Sequence, residues 1–161
     1  MPRRRNANDE PPEEPPRGPE LMFQELDGLL GYRLRRAQGA VHRDYVAAVG
    51  GLKLTQKQTA TLWLIDANPG VSQVAVAAAL GMDRATMMAV TNRLQARGLV
   101  VRKRSMTDRR RQEINVTAAG AKALQKVKAR IVEHENRFKS LFEPAELAAL
   151  LSALQKFRAF E

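Results

Sequence analysis

Two helical segments, each opened by a capping side chain and closed by a glycine, follow one another between Ser72 and Gly98, and this arrangement restricts the fold more than any other feature of the chain. Ser72 opens QVAVAAAL, which runs to Gly81, and Asp83 opens RATMMAVTNRLQAR, which runs to Gly98. Ser and Asp side chains accept hydrogen bonds from the otherwise unpaired amides of a first helical turn, and glycine takes the left-handed conformation that ends a helix. Two capped helices with a short connection, the second bearing arginines, predict a helix-turn-helix. After Gly98 come LVVRKR, with Val100 and Val101 favouring a strand, then a polar, arginine-rich stretch from Ser105 to Arg111, then QEINV alternating toward Thr117. Strand, basic loop and strand directly after a helix-turn-helix predict a winged helix.

The flanks are helical. Leu26, Leu29, Leu30, Leu34, Ala37, Val41, Tyr45 and Val49 recur at three- and four-residue steps, predicting a helix from Leu21 to about Val49 that Gly50 and Gly51 stop. Thr55 opens a second helix through Leu62, Trp63 and Ile65 to Ala67, before the turn Asn68-Pro69-Gly70. Thr117 caps a long helix over residues 118–141, with Leu124, Val127, Ile131, His134, Phe138 and Leu141 on one stripe. Pro144 suits the first turn of a last helix. Aromatic residues make up only 5% of the chain, so aliphatic side chains and alanine must fill the core, which disfavours all-β architectures.

The expected fold is therefore mainly α, a winged helix-turn-helix with long N- and C-terminal helices forming a dimerisation domain. Residues 1–19 hold six of the eight prolines and almost no apolar side chain, a composition expected to stay disordered. Residues 20–50 and 118–161 are expected to form the helical dimerisation region, and 51–117 the winged DNA-binding region. Leu21, Phe23, Leu26, Leu147, Leu150, Leu151, Leu154 and Phe157 sit near the two chain ends, where a lone monomer would expose a large apolar patch; a symmetric homodimer joined there is expected.

The formal net charge of +10 is clustered, since the segment from Arg84 to Arg111 carries nine basic residues against the single acid Asp108. That points to a polyanionic partner. Cysteine is absent and the two histidines, His42 and His134, are far apart, so neither thiol chemistry nor a metal site is expected, and no cofactor is called for. No nucleophile–base constellation or phosphate loop points to an enzyme. No run approaches the roughly 20 apolar residues of a membrane span. Arg3, Arg4 and Arg5 are followed by Asn, Asp, Glu and Pro instead of an apolar stretch, and a cytoplasmic location is expected.

Four stretches, LTQKQTATLWLI, VSQVAVAAALGMDRATMMAVTNRLQARGLVVR, TDRRR and INVTAAGAKAL, together resemble the MarR family of winged-helix transcription regulators over Leu52 to Leu124. The resemblance implies a homodimer with interlocked terminal helices that binds a pseudo-palindromic DNA operator and is released by a small ligand. Two positions depart from the family pattern. Ser105 stands where the wing commonly begins with an acid, and Ala89 stands where many members place a base-contacting arginine.

On the second helix of the reading unit, Met87, Val90 and Leu94 share a face and are expected in the core, with Thr91 beside them. The outward face offers Arg84, Ala85, Thr86, Met88, Ala89, Asn92 and Arg93, with Ser72 and Gln73 at the start of the preceding helix. Arg84 and Thr86 suit phosphate or base edges, Asn92 suits adenine, and Ala89 or Met88 suits a thymine methyl. The family pattern makes Arg109 the minor-groove probe, oriented by Asp108, with Arg110 and Arg111 left to phosphate or solvent. It also implies an effector site involving Tyr32, Arg36, His42, Tyr45, Trp63, Asp66 and Phe138. Arg33, Arg35 and Arg36 beside Tyr32 suit an organic anion, such as an aromatic acid or its coenzyme A thioester. A constitutive DNA-binding protein without effector, or a protein-interaction module, remains open on these residues alone.

Overall fold

The computed structural model describes residues 23–104 and 112–160, which divide into two compact units, one ending at Ala37 and one running from Gln38. Helix α1 (Leu30–Val49) contributes its first turns to the first unit and the remainder to the second. A 3-10 turn, Gln24–Gly28, precedes α1 where the apolar periodicity predicts continuous helix from Leu21; Gly28 and the extended Leu29 break it. Glycine forfeits about 1 kcal/mol in a helix interior, enough to yield the boundary to a tighter turn. Leu21 itself lies outside the described residues. Of the α1 stripe only Tyr45 and Val49 are buried, and Leu29 and Leu30 are exposed.

In the second unit the order after α1 is α2 (Gln56–Ala67), α3 (Gln73–Ala79), α4 (Arg84–Ala96), β1 (Val100–Arg104), β2 (Gln112–Val116), α5 (Ala118–Lys139) and α6 (Pro144–Gln155). Every side-chain cap read from the sequence forms. Thr55 and Gln58 make a reciprocal capping box, Ser72 accepts from the Ala75 amide, Asp83 from the Thr86 amide and Thr117 from the Gly120 amide. Gly81 and Gly98 adopt left-handed backbone, φ +58° and +66°, just past the C-terminal ends of α3 and α4. α3 is one residue shorter than expected, since Leu80 already leaves the helix. α5 stops at Lys139, so Leu141 falls beyond it and is exposed.

β1 and β2 pair antiparallel with Val100 opposite Val116 and Arg104 opposite Gln112. Val71 adds an isolated bridge to Ile114, which brings the turn before α3 onto the sheet edge. The core gathers Leu62 and Ile65 of α2, Val76 of α3, Met87 and Leu94 of α4, Val100 and Ile114 of the strands, and Leu124 and Val127 of α5. The start of α5 is fastened to the start of β1: the Thr117 amide donates to the Leu99 carbonyl (3.0 Å) and its hydroxyl to the Gly98 carbonyl (2.6 Å). These features make a winged helix-turn-helix.

Candidate nucleic-acid interface

α4 is the element a groove would meet. Its buried stripe is Met87, Val90, Thr91 and Leu94, as the 3.6-residue period demands, and this turns Arg84, Ala85, Met88, Ala89, Asn92 and Arg93 to solvent. Thr86, half-buried, donates its hydroxyl to Asp83 (2.6 Å), which also accepts the Thr86 amide (2.8 Å). The Thr86 hydroxyl, followed by its amide, holds the Asp83 carboxyl below its ordinary pKa of 3.8. The first turn of α4 is thus rigid, and Thr86 keeps only acceptor capacity for a ligand.

Behind this face lies a polar junction whose long-range pairs the sequence reading did not find. Arg102 of β1 donates one guanidinium nitrogen to Thr91 Oγ1 (2.6 Å) and to Gln73 Oε1 (3.1 Å), while the buried Thr91 hydroxyl donates to the Met87 carbonyl (2.9 Å). One side chain therefore ties the first wing strand to both helices of the reading unit. Gln73, expected at the DNA surface, has its carbonyl oxygen engaged here and retains only its amide NH2 group for a ligand. Strand alternation was the signal for Arg102, because it shares a sheet face with the buried Val100. Arg97, part of the basic cluster, donates to the Lys53 and Leu52 carbonyls and serves the scaffold. Asp108, Arg109, Arg110 and Arg111 of the wing lie outside the described residues.

The residues named for an effector fall in both units. In the first unit, Arg36 donates to the Tyr32 hydroxyl (2.9 Å), and the Arg35 and Arg36 guanidiniums stand 5.6 and 5.8 Å from the Tyr32 ring centre. Arg33 donates to the Asp27 carbonyl. In the second unit, Tyr45 is a core residue whose hydroxyl pairs with Thr59 (2.7 Å); burial pushes its pKa up, partly offset by that bond. His42 pairs with Gln56 and opens on a cavity of about 480 Å³ lined also by Lys57, Thr86, Ala89 and Arg93. Trp63 and Asp66 instead share Lys128, whose ammonium lies 4.7 Å from the indole centre and 3.4 Å from the carboxylate. Phe138 packs edge-on to His134, 5.3 Å between ring centres.

Among the described residues, the expected dimer contacts are apolar and at least partly accessible in the single chain. Phe23 and Leu26 are exposed in the first unit. α6 buries nothing, leaving Leu150, Leu151 and Leu154 exposed with Phe157 after it, and Leu147 half-covered. Among the described residues no group of three or more His, Cys, Asp or Glu side chains gathers to hold a metal ion, and no single helix is long and apolar enough to cross a membrane.

A model of the MarR family matches residues 51–111, the stretch that holds α2, the reading unit and β1. A putative transcriptional regulatory protein for the hcr operon of Thauera aromatica is 33% identical over 138 residues, covering 85% of this chain and 83% of that protein. The chain belongs to the MarR family. It is a MarR-family transcription regulator, and the solved MarR-family structures extend the likeness beyond the reading unit. The transcriptional repressor CouR bound to a 23-mer DNA duplex is 39% identical, with a TM-score of 0.82 over 87% of this chain and 99% of that one. CouR bound to p-coumaroyl-CoA is 37% identical, with a TM-score of 0.79 over 86% of this chain and 98% of that one. The PcaV regulator of Streptomyces coelicolor in complex with its natural ligand is 25% identical, with a TM-score of 0.75 over 86% and 98%.

Proposed function

We propose that this MarR-family regulator is a repressor that binds a pseudo-palindromic operator as a homodimer and is released by a small organic anion, an aromatic acid or its coenzyme A thioester. The observation that carries the reading is the solvent-facing side of α4, basic at Arg84 and Arg93 on a rigidly capped and braced helix, in a chain similar over most of its length to a DNA-bound repressor. The exposed leucines of α6 and the exposed Phe23 and Leu26 support the dimer. The wing residues Asp108, Arg109, Arg110 and Arg111 complete the proposed DNA contact. Tyr32, Arg33, Arg36, His42, Trp63 and Asp66 remain the proposed effector contacts, and the arginine-flanked Tyr32 supports an anionic aromatic ligand.

Fluorescence anisotropy against duplexes selected from a random library tests DNA binding, and thermal shift with p-coumaroyl-CoA and a panel of aromatic acids tests the effector. A ligand selective for the folded protein raises its melting temperature. One that also releases DNA must be loosened by DNA to the same factor, about 5- to 150-fold for a coupling of 1–3 kcal/mol. If the panel leaves both stability and DNA affinity unchanged, the effector is lost from the reading and a constitutive DNA-binding protein replaces it.

A further inference from the structure

Two large apolar side chains stand exposed beside the arginines of the DNA-facing surface. Val74 of α3 is 57% exposed and Met88 of α4 is 53% exposed. They flank an open cleft of about 350 Å³ between the two helices, lined also by Gln73, Ala77, Arg84 and Ala85. The walls are therefore mainly methyl and methylene groups, with one guanidinium at the rim. On the same face of α4, Ala85 and Ala89 have no hydrogen-bonding side chain, and Asn92 lies a turn or more further along the helix. Gln73, the other polar lining group, is held by Arg102.

The cleft between Val74 and Met88 itself reads little by hydrogen bonding. It reads well by apolar contact, and the major-groove edges of the four bases present one apolar group, the C5-methyl of thymine. Arg84 and Arg93 on the same helix, within a segment of nine basic residues and one acid, select a polyanion as the occupant. We propose that Val74 and Met88 form a receptor for thymine methyl groups in the major groove, so that each operator half-site is read in part through its methyls. This rests on the DNA-binding reading and adds Val74, a residue of the supporting helix, to the specificity surface.

The test uses the full chain and duplexes selected from a random-sequence library. Each thymine of a selected half-site is replaced in turn by deoxyuridine, which removes the methyl and leaves pairing intact. Loss of one buried methyl contact should weaken binding about threefold to fivefold at the contacted thymine. In Val74→Ala and in Met88→Ala that penalty should shrink toward unity, while the penalty at thymines elsewhere and the salt dependence of binding persist. Val74→Thr separates loss of volume from loss of apolar character, and should bind more weakly than the native chain with a reduced deoxyuridine penalty. Deoxyuridine scanning without effect at every thymine, or a penalty identical in native and variant proteins, overturns the proposal while leaving DNA binding itself intact. Failure of the native chain to enrich any sequence from the library removes the DNA reading instead.

Discussion

Gly120, the third residue of α5, should tolerate no side chain. It is buried where the helix begins, and a Cβ built there overlaps the Leu99 carbonyl oxygen and comes within 2.9 Å of its carbon and 2.8 Å of Val116 Cγ1. Two of these atoms are backbone, in the segment that also accepts the Thr117 amide, so no flexible side chain can yield. To restore ordinary carbon contacts, α5 must slide off the strand. Overpacking of this sort costs about 1–3 kcal/mol and sometimes more, and weakening the Thr117 bonds adds roughly 1 kcal/mol each. Replacing glycine by alanine in a helix returns about 1 kcal/mol. The net expectation for Gly120→Ala is a loss of about 2–4 kcal/mol, or roughly 5–15 °C in melting temperature for a chain of this size. Gly39→Ala in the middle of α1 supplies the control, because its Cβ would meet only Arg43 Nη1 at 3.6 Å. There the propensity gain should stand alone and raise the melting temperature by roughly 2–4 °C. Urea and thermal unfolding by circular dichroism, at one protein concentration, measure both. Equal effects in the two variants would refute the steric argument.

Arg102→Ala should weaken operator binding about tenfold or more by releasing the wing strand from Thr91 and Gln73, with the slope of log affinity against log salt unchanged; a slope reduced by about one would make it a phosphate contact instead. Arg109→Ala should erode preference for A·T-rich flanks in competition anisotropy, and unaltered affinity together with unaltered flank preference would leave the wing without its proposed role. Asp44 accepts from Arg137 and from the buried His134, both at 2.6 Å, and these bonds, Arg137 first, hold its carboxyl below its ordinary pKa of 3.8. Its contribution is complete above that value and is lost as pH falls through the lower folded value. Asp44→Asn should accordingly flatten the stability–pH profile below about pH 4, and an unchanged acid slope in denaturant titrations would remove Asp44 from the account.

What the sequence disclosed was local. Thr55, Ser72, Asp83 and Thr117 announced their helices because a cap and its amide partner lie within three residues, and Gly81 and Gly98 announced where the two helices of the reading unit end because a left-handed turn is a property of one residue. The periodic face of α4 separated Met87, Val90 and Leu94 from the outward positions for the same reason. Contacts closed across the fold stayed hidden. Alternation with Val100 turns Arg102 inward but does not name Thr91 and Gln73 as its partners, and nothing near Asp44 in sequence places it against His134. Tyr45 is a further case: the partner of its polar tip, Thr59 on α2, lies 14 residues away and is not announced by the sequence. The break at Gly28 escaped because an apolar repeat persists across it, although the backbone does not.

The junction at Thr117 also has a mechanical meaning. α5 has 22 residues and so extends about 33 Å from a first turn fastened to the strand at Gly98 and Leu99. As a rigid rod turning about that joint it would have its fulcrum at the wing root. A swing of about 5° at the fulcrum carries the far end, near Lys139, through roughly 3 Å. Read in reverse, the gearing is a reduction: a displacement the size of a side chain, applied at the far end, reaches the wing as a rotation of a few degrees with its torque multiplied. At Gly120 the helix lies so close to Leu99 and Val116 that the joint itself has little room to shift.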